Sequence, residues 1–132
     1  MSRENLETVR RAFEAFNARN VDALVSLSTP DCEWVPFRAQ LEGVVYQGHD
    51  GIRRFVSDMD DDWENFRIDP ADFHDRNERV AVVGHVSALG RGSSVQIEST
   101  AGFVFGLRDA RISRVTSHSN PDAALEALGE SA

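Results

Sequence analysis

The stretch Arg79–Gly90, RVAVVGHVSALG, decides the fold. It is an apolar run rich in β-branched residues, with one histidine, His85, at its middle. That composition suits a strand better than a helix. Two more strand-like runs follow, Val95–Leu107 and Arg111–Asn120. Short segments join the three, Arg91–Ser94 and Arg108–Ala110, and strands joined this tightly pair antiparallel. The C-terminal half therefore predicts a sheet. What precedes it must cover one face of that sheet.

The preceding half is mostly helical in pattern. Leu6, Val9, Phe13 and Phe16 fall three to four apart, which predicts a helix over Arg3–Ala18 behind a Ser2 cap. Asn20 caps a second, short helix carrying Val21, Leu24, Val25 and Leu27, and Pro30 stops it. Cys32–Phe37 reads as a strand and Arg38–Gly48 as a loop. A third helix starts near His49 or Asp50, presents Ile52, Phe55, Val56 and Met59, and ends in the acidic run Asp58–Asp62. Asn65–His74 reads as a strand interrupted at Pro70, so bent or at an edge, followed by a turn at Asp75–Glu78. Asn120-Pro121 opens a final helix with Ala124, Leu125 and Leu128 on its apolar side, and Gly129 ends it. Helices followed by antiparallel strands make one α+β domain over residues 1–132. A strongly bent sheet wrapped around helices encloses a cone with a cavity at its wide end.

Composition narrows the partners. The chain has 132 residues, 41% hydrophobic and 27% charged, enough for a core without disulfides or metal. A net charge of −8 repels phosphates and anionic membrane surfaces, so neither nucleic acid nor membrane is expected. No stretch is apolar for about 18 residues, the length that spans a bilayer. The N-terminal MSRENLETVRR lacks the apolar core of a signal peptide. The single Cys32 excludes an internal disulfide, which suits a cytoplasmic protein.

Five stretches resemble the SnoaL-like polyketide cyclase group of the cone-shaped nuclear transport factor 2-like superfamily. They are FNARNVDALVSL (Phe16–Leu27), CEWVPF (Cys32–Phe37), YQGHDGIRRFV (Tyr46–Val56), FVFGLRDARISRV (Phe103–Val115) and PDAALEALG (Pro121–Gly129). The resemblance implies a cone-shaped α+β barrel, with N-terminal helices packed on a strongly curved, mostly antiparallel sheet. It also implies a homodimer through the outer sheet face. Its catalytic patterns are not carried here. Ketosteroid isomerases place a tyrosine and two aspartic acids where this chain has Ala12, Val35 and Ala101. The Asp–Arg–Asp relay of limonene-epoxide hydrolases is missing too. Of the aspartate and histidine used by polyketide cyclases, only the histidine has a counterpart.

His85 is that counterpart. Alternate residues share a strand face, but both faces of Arg79–Gly90 are apolar, so the pattern alone does not orient it. A hairpin pivot at Gly92 puts His85 opposite Ser99 on the inner face. A pivot half a residue away puts it opposite Glu98 or Thr100 on the outer face. The resemblance favours the inner orientation, where an imidazole with an ordinary pKa of about 6.5 could act as a general base. The other reading is a core histidine satisfied by Ser99 or by backbone. His118 and Ser117 are alternatives, since only one can face inward. A three-residue turn at Arg108–Ala110 favours Ser117 and a two-residue turn favours His118.

Phe16, Trp34, Phe37, Phe55, Met59, Trp63, Phe66 and Phe103 would line the interior, with Tyr46 at the rim. Most such residues are plain core. Asp58, Asp60 and Asp62 match the first odd positions of a calcium loop, but Trp63 stands where that loop needs glycine, so a solvated helix end is expected. No metal and no cofactor is implied. The expected function is a small hydrophobic molecule bound in the cone, with proton transfer on a carbonyl substrate through His85 and Ser99 as a cofactor-independent cyclase or isomerase. The alternative is a ligand-binding or dimerisation domain without turnover.

Overall fold

The structure is a computed structural model and describes residues 2–36, 43, 45–92, 94–118 and 120–130. In chain order its elements are α1 (Ser2–Asn17), α2 (Val21–Ser26), β1 (Ser28–Val35), β2 (Tyr46–Gln47), α3 (Gly48–Asp62), β3 (Trp63–Arg76), β4 (Arg79–Gly90), β5 (Gln96–Arg108), β6 (Arg111–His118) and α4 (Pro121–Glu130). The strands form one sheet in the order β2-β1-β6-β5-β4-β3. β1 and β6 run parallel, and every other neighbouring pair is antiparallel. Helices α1 and α3 pack on the concave side of the sheet, which is the expected cone-shaped α+β architecture.

The core lies between those helices and the sheet. α1 turns Val9, Ala12, Phe13 and Phe16 inward, and α3 turns Ile52, Phe55 and Val56. These are the faces that the three-to-four spacing marks. Val80, Val82 and Val86 of β4 and Phe103, Phe105 and Leu107 of β5 meet them. Phe13 packs edge-on to Phe103 and Phe105, with centroids 5.8 and 5.4 Å away. Burying one such side chain stabilises by about 1.5–3 kcal/mol. This layer holds the helices on the sheet.

Local departures from the sequence reading have physical causes. β1 starts at Ser28 and passes through Pro30, because its ladder to β6 is irregular between Ser28 and Glu33 and leaves the proline outside the pairing. β2 lies inside the segment read as a loop, where Tyr46 pairs with Trp34. β3 starts at Trp63, directly after α3. It continues past Pro70 because β3 is an edge strand with a bulge there: Pro70 pairs with Gly84 and Asp72 with Val83, leaving Ala71 unpaired. Phe37 lies outside the described residues.

The end of α1 guards part of that edge. The Asn17 side-chain amide donates to Ile68 O at 2.8 Å, and its oxygen accepts from Ile68 N at 3.0 Å. Arg19, at φ +57°, donates to Phe66 O at 2.7 Å and to Asp60 at 2.7 Å. Its guanidinium also lies 4.7 Å over the Phe16 ring. Backbone groups that would otherwise invite another strand are satisfied from Asn17 at the end of α1 and from Arg19 just beyond it.

On the convex side the tail helix folds back onto the sheet. Asn120 accepts from Ala123 N at 2.8 Å and caps α4. Ala124 and Leu128 bury against Ala81 and Val104. Gly102 is the socket, since a methyl there would collide with the Ala124 methyl. Arg79 donates to Ala127 O at 3.4 Å. Part of the outer face expected to meet a second copy is thus covered by the chain's own tail.

Candidate functional site

Strand register orients the expected catalytic residues. Leu89 pairs with Gln96, so the β4–β5 hairpin turns about a point between positions 92 and 93 rather than at Gly92. That half-residue difference places His85 opposite Thr100 and Val86 opposite Ser99. Val86 belongs to the concave core, so His85 projects from the convex face. Its side chain is 48% exposed, with Nε2 3.4 Å from Glu98 Oε1. The expectation of an inward His85 acting with Ser99 is corrected: the two residues occupy opposite faces. Ser99 points to the concave side and is exposed there.

The β5–β6 hairpin holds a second correction. Its turn has two residues, Asp109 and Ala110, both at positive φ, and Arg108 pairs with Arg111. Such a turn alone would bring His118 inward. The ladder instead shifts between Leu107–Ile112 and Gly106–Arg114, leaving Ser113 as a bulge. Beyond it Phe103 pairs with Ser117 and Gly102 with His118. Ser117 faces the interior and His118 faces outward, where its Nε2 lies 3.1 Å from the Thr116 hydroxyl. Partial burial holds His118 below the ordinary histidine range. As an interior ligand contact His118 is ruled out.

The aromatic residues do come together. Phe55 of α3 is their centre. Trp34 and Tyr46 each pack on it at 5.5 Å, and Phe16 stacks on it at 6.0 Å. Phe66 meets Phe16 at 5.9 Å and Trp63 at 6.4 Å. Phe103 closes the floor beside Phe13. Trp63 and Met59 are only half-buried. One wall therefore runs from the buried core out to solvent.

Polar groups on this wall are few. Among the described residues, the buried inward positions of β1, β4, β5 and β6 and of α1 and α3 carry no carboxylate and no imidazole. Trp34 is 7% exposed, and its indole N–H makes no hydrogen bond of ordinary geometry among the described residues. The Cys32 thiol, two residues away on the same face, offers it only a weak sulfur acceptor. Burial pushes that thiol up, so it stays protonated and unreactive.

At the rim the Tyr46 hydroxyl donates to Asp58 Oδ2 at 2.6 Å. The sequence reading placed Asp58 in a solvated acidic helix end and missed this bond. The signal was present: Asp58 follows Phe55 by three residues, which puts both on one helix face. Asp60 is bound by Arg19 instead. No group of three or more potential metal ligands gathers among the described residues. A separate groove of about 420 Å³, lined by Arg11, Glu14, Ala15, Ala18, Ala23 and Leu27 among others, lies between α1 and α2, away from the aromatic wall. No described helix is long and apolar enough to cross a membrane.

Solved structures of the same architecture are numerous. An NTF2-like protein of unknown function from Burkholderia pseudomallei is 20% identical, with a TM-score of 0.79 covering 95% of this chain and 97% of that one. TerC, co-crystallised with polyporic acid, is 22% identical with a TM-score of 0.79, over 96% of this chain and 98% of that one. A Catenulispora acidiphila protein with a ketosteroid isomerase-like fold, in complex with trimethylamine, is 17% identical with a TM-score of 0.77, over 93% and 92%. At these identities the likeness is one of fold. No protein with a curated description matches. The model of the SnoaL-like domain matches residues 9–115, so the chain belongs to the SnoaL-like domain family.

Proposed function

We propose that the chain binds a flat, largely apolar small molecule on the concave side of its sheet, against Phe55, Trp34 and Ser117. One observation carries this reading: the aromatic wall centred on Phe55 continues from the buried core to half-exposed Trp63 and Met59. A core needs no such exit, whereas a ligand site is an apolar recess with a few polar groups near its mouth. The crystals of TerC with polyporic acid and of the Catenulispora acidiphila protein with trimethylamine support small-molecule binding in this fold.

Turnover as a cyclase or isomerase through His85 loses its base, since that residue lies outside the cone. Binding without turnover is the better-supported reading. A homodimer remains a proposal, and it would use the strip left uncovered by α4, with Arg67, His85, Ser87, Glu98 and Thr100. Sedimentation giving a mass near 14.7 kDa contradicts it.

Tryptophan fluorescence tests the binding reading, because Trp34 and Trp63 are the only tryptophans and both sit on the wall. Flavone should quench them saturably, and Phe55→Ala should weaken its affinity by about tenfold or more. Equal affinity in Phe55→Ala, or no saturable quenching, contradicts the reading.

A further inference from the structure

We propose that Tyr46 and Asp58 form the polar anchor of the interior site and select flat ligands that carry a hydroxyl at their outer edge. This rests on the binding reading above and adds the chemical class of the ligand. Tyr46 and Trp34 are paired across β1 and β2, so both rings leave the ribbon on one face. Phe55 packs against each of them at 5.5 Å. The Tyr46 ring is thus part of the wall, and its hydroxyl carries the wall outward to Asp58 Oδ2 at 2.6 Å. Asp58 sits one helical turn past Phe55 on α3, at the boundary between the rings and water.

The chemistry of the pair is asymmetric. The phenol proton is committed to Oδ2 and fixes the orientation of the carboxylate. The second oxygen, Oδ1, has no hydrogen-bond or ion-pair partner among the described residues. An ionised carboxylate only accepts. It therefore favours a ligand donor, a phenolic or enolic hydroxyl, with a charge-assisted bond. The same oxygen repels a ligand carboxylate, and the exposed Asp61 beside it adds to that repulsion.

The backbone is built to hold this contact. Gly48 sits at φ +69°, a conformation that other residues rarely adopt, and turns β2 directly into α3. Gly51 lets the helix approach the strand: a Cβ there would stand 2.7 Å from the Tyr46 carbonyl carbon. Two glycines thus set Tyr46 against the helix that bears Phe55 and Asp58.

The experiment titrates 6-hydroxyflavone and its methyl ether into the wild type, Tyr46→Phe, Asp58→Asn and Asp58→Ala, reading tryptophan quenching. The wild type should bind the hydroxyl compound about tenfold or more tighter than the ether, the size of a hydrogen bond to a charged group. Asp58→Ala should bring the two within about twofold by weakening the hydroxyl compound alone, and the other two variants should fall between. Equal affinities in the wild type, or a preference that survives in Asp58→Ala, overturn the anchor and leave the binding reading standing. No saturable quenching by either compound in the wild type overturns both.

Discussion

His85 stands opposite Thr100 on the β4–β5 ladder, and its imidazole approaches Glu98 on the convex face. Ser99, one position away from both partners, points to the concave face beside Val86. A half-residue difference in the hairpin separates a histidine inside the cone from one outside it. His85→Ala should therefore leave flavone affinity within about twofold and stability within about 0.5 kcal/mol, as for other exposed positions. A tenfold loss of affinity would return His85 to the site.

Gly102 is the socket of the tail helix, with Ala124 filling the space a side chain would need. Gly102→Ala should destabilise by about 1–3 kcal/mol, the cost of overpacking. Ala124→Gly in the same chain should recover part of that loss. Denaturant unfolding measures both. Undiminished stability in Gly102→Ala would mean that α4 does not dock on this face.

Asn17 meets both backbone groups of Ile68 on the edge strand. Asn17→Ala leaves an N–H and a carbonyl without their partners and should cost about 1–3 kcal/mol. Asn17→Asp keeps the acceptor, loses the donor, and should fall between. If Asn17→Asp proves as stable as the wild type, the bond to the Ile68 carbonyl contributes nothing.

His118 titrates low because partial burial disfavours its charged form. The unfolded chain then takes up a proton first as pH falls below about 6.5, the ordinary histidine value. Stability should be full above that pH and should decline as pH drops through the window below it. Comparing the wild type with His118→Gln at pH 8 and pH 5.5 isolates the effect, and the variant should lose less. An equal loss in both proteins would rule out a contribution from His118.

The fold was largely legible because periodicity reports burial. The spacing of Val9, Phe13 and Phe16, and of Ile52, Phe55 and Val56, gave the helix faces that the core uses. Most aromatic wall residues were legible for the same reason. Orientation within the strands was not. Arg79–Gly90 is apolar on both faces because α1 and α3 cover one side and α4 covers part of the other. Ser117 faces inward only through the bulge at Ser113, and a bulge leaves no mark in a hydrophobic pattern. The Tyr46–Asp58 bond was half legible: Asp58 shares a helix face with Phe55, but β2 is only two residues long, too short for a strand pattern to mark it.

A crystal structure of the protein with 6-hydroxyflavone tests the central claim most directly. The expected result is a ligand against Phe55, between Trp34 and Ser117, with its hydroxyl on Asp58. A ligand seated against His85 on the convex face, or in the groove between α1 and α2, would contradict it.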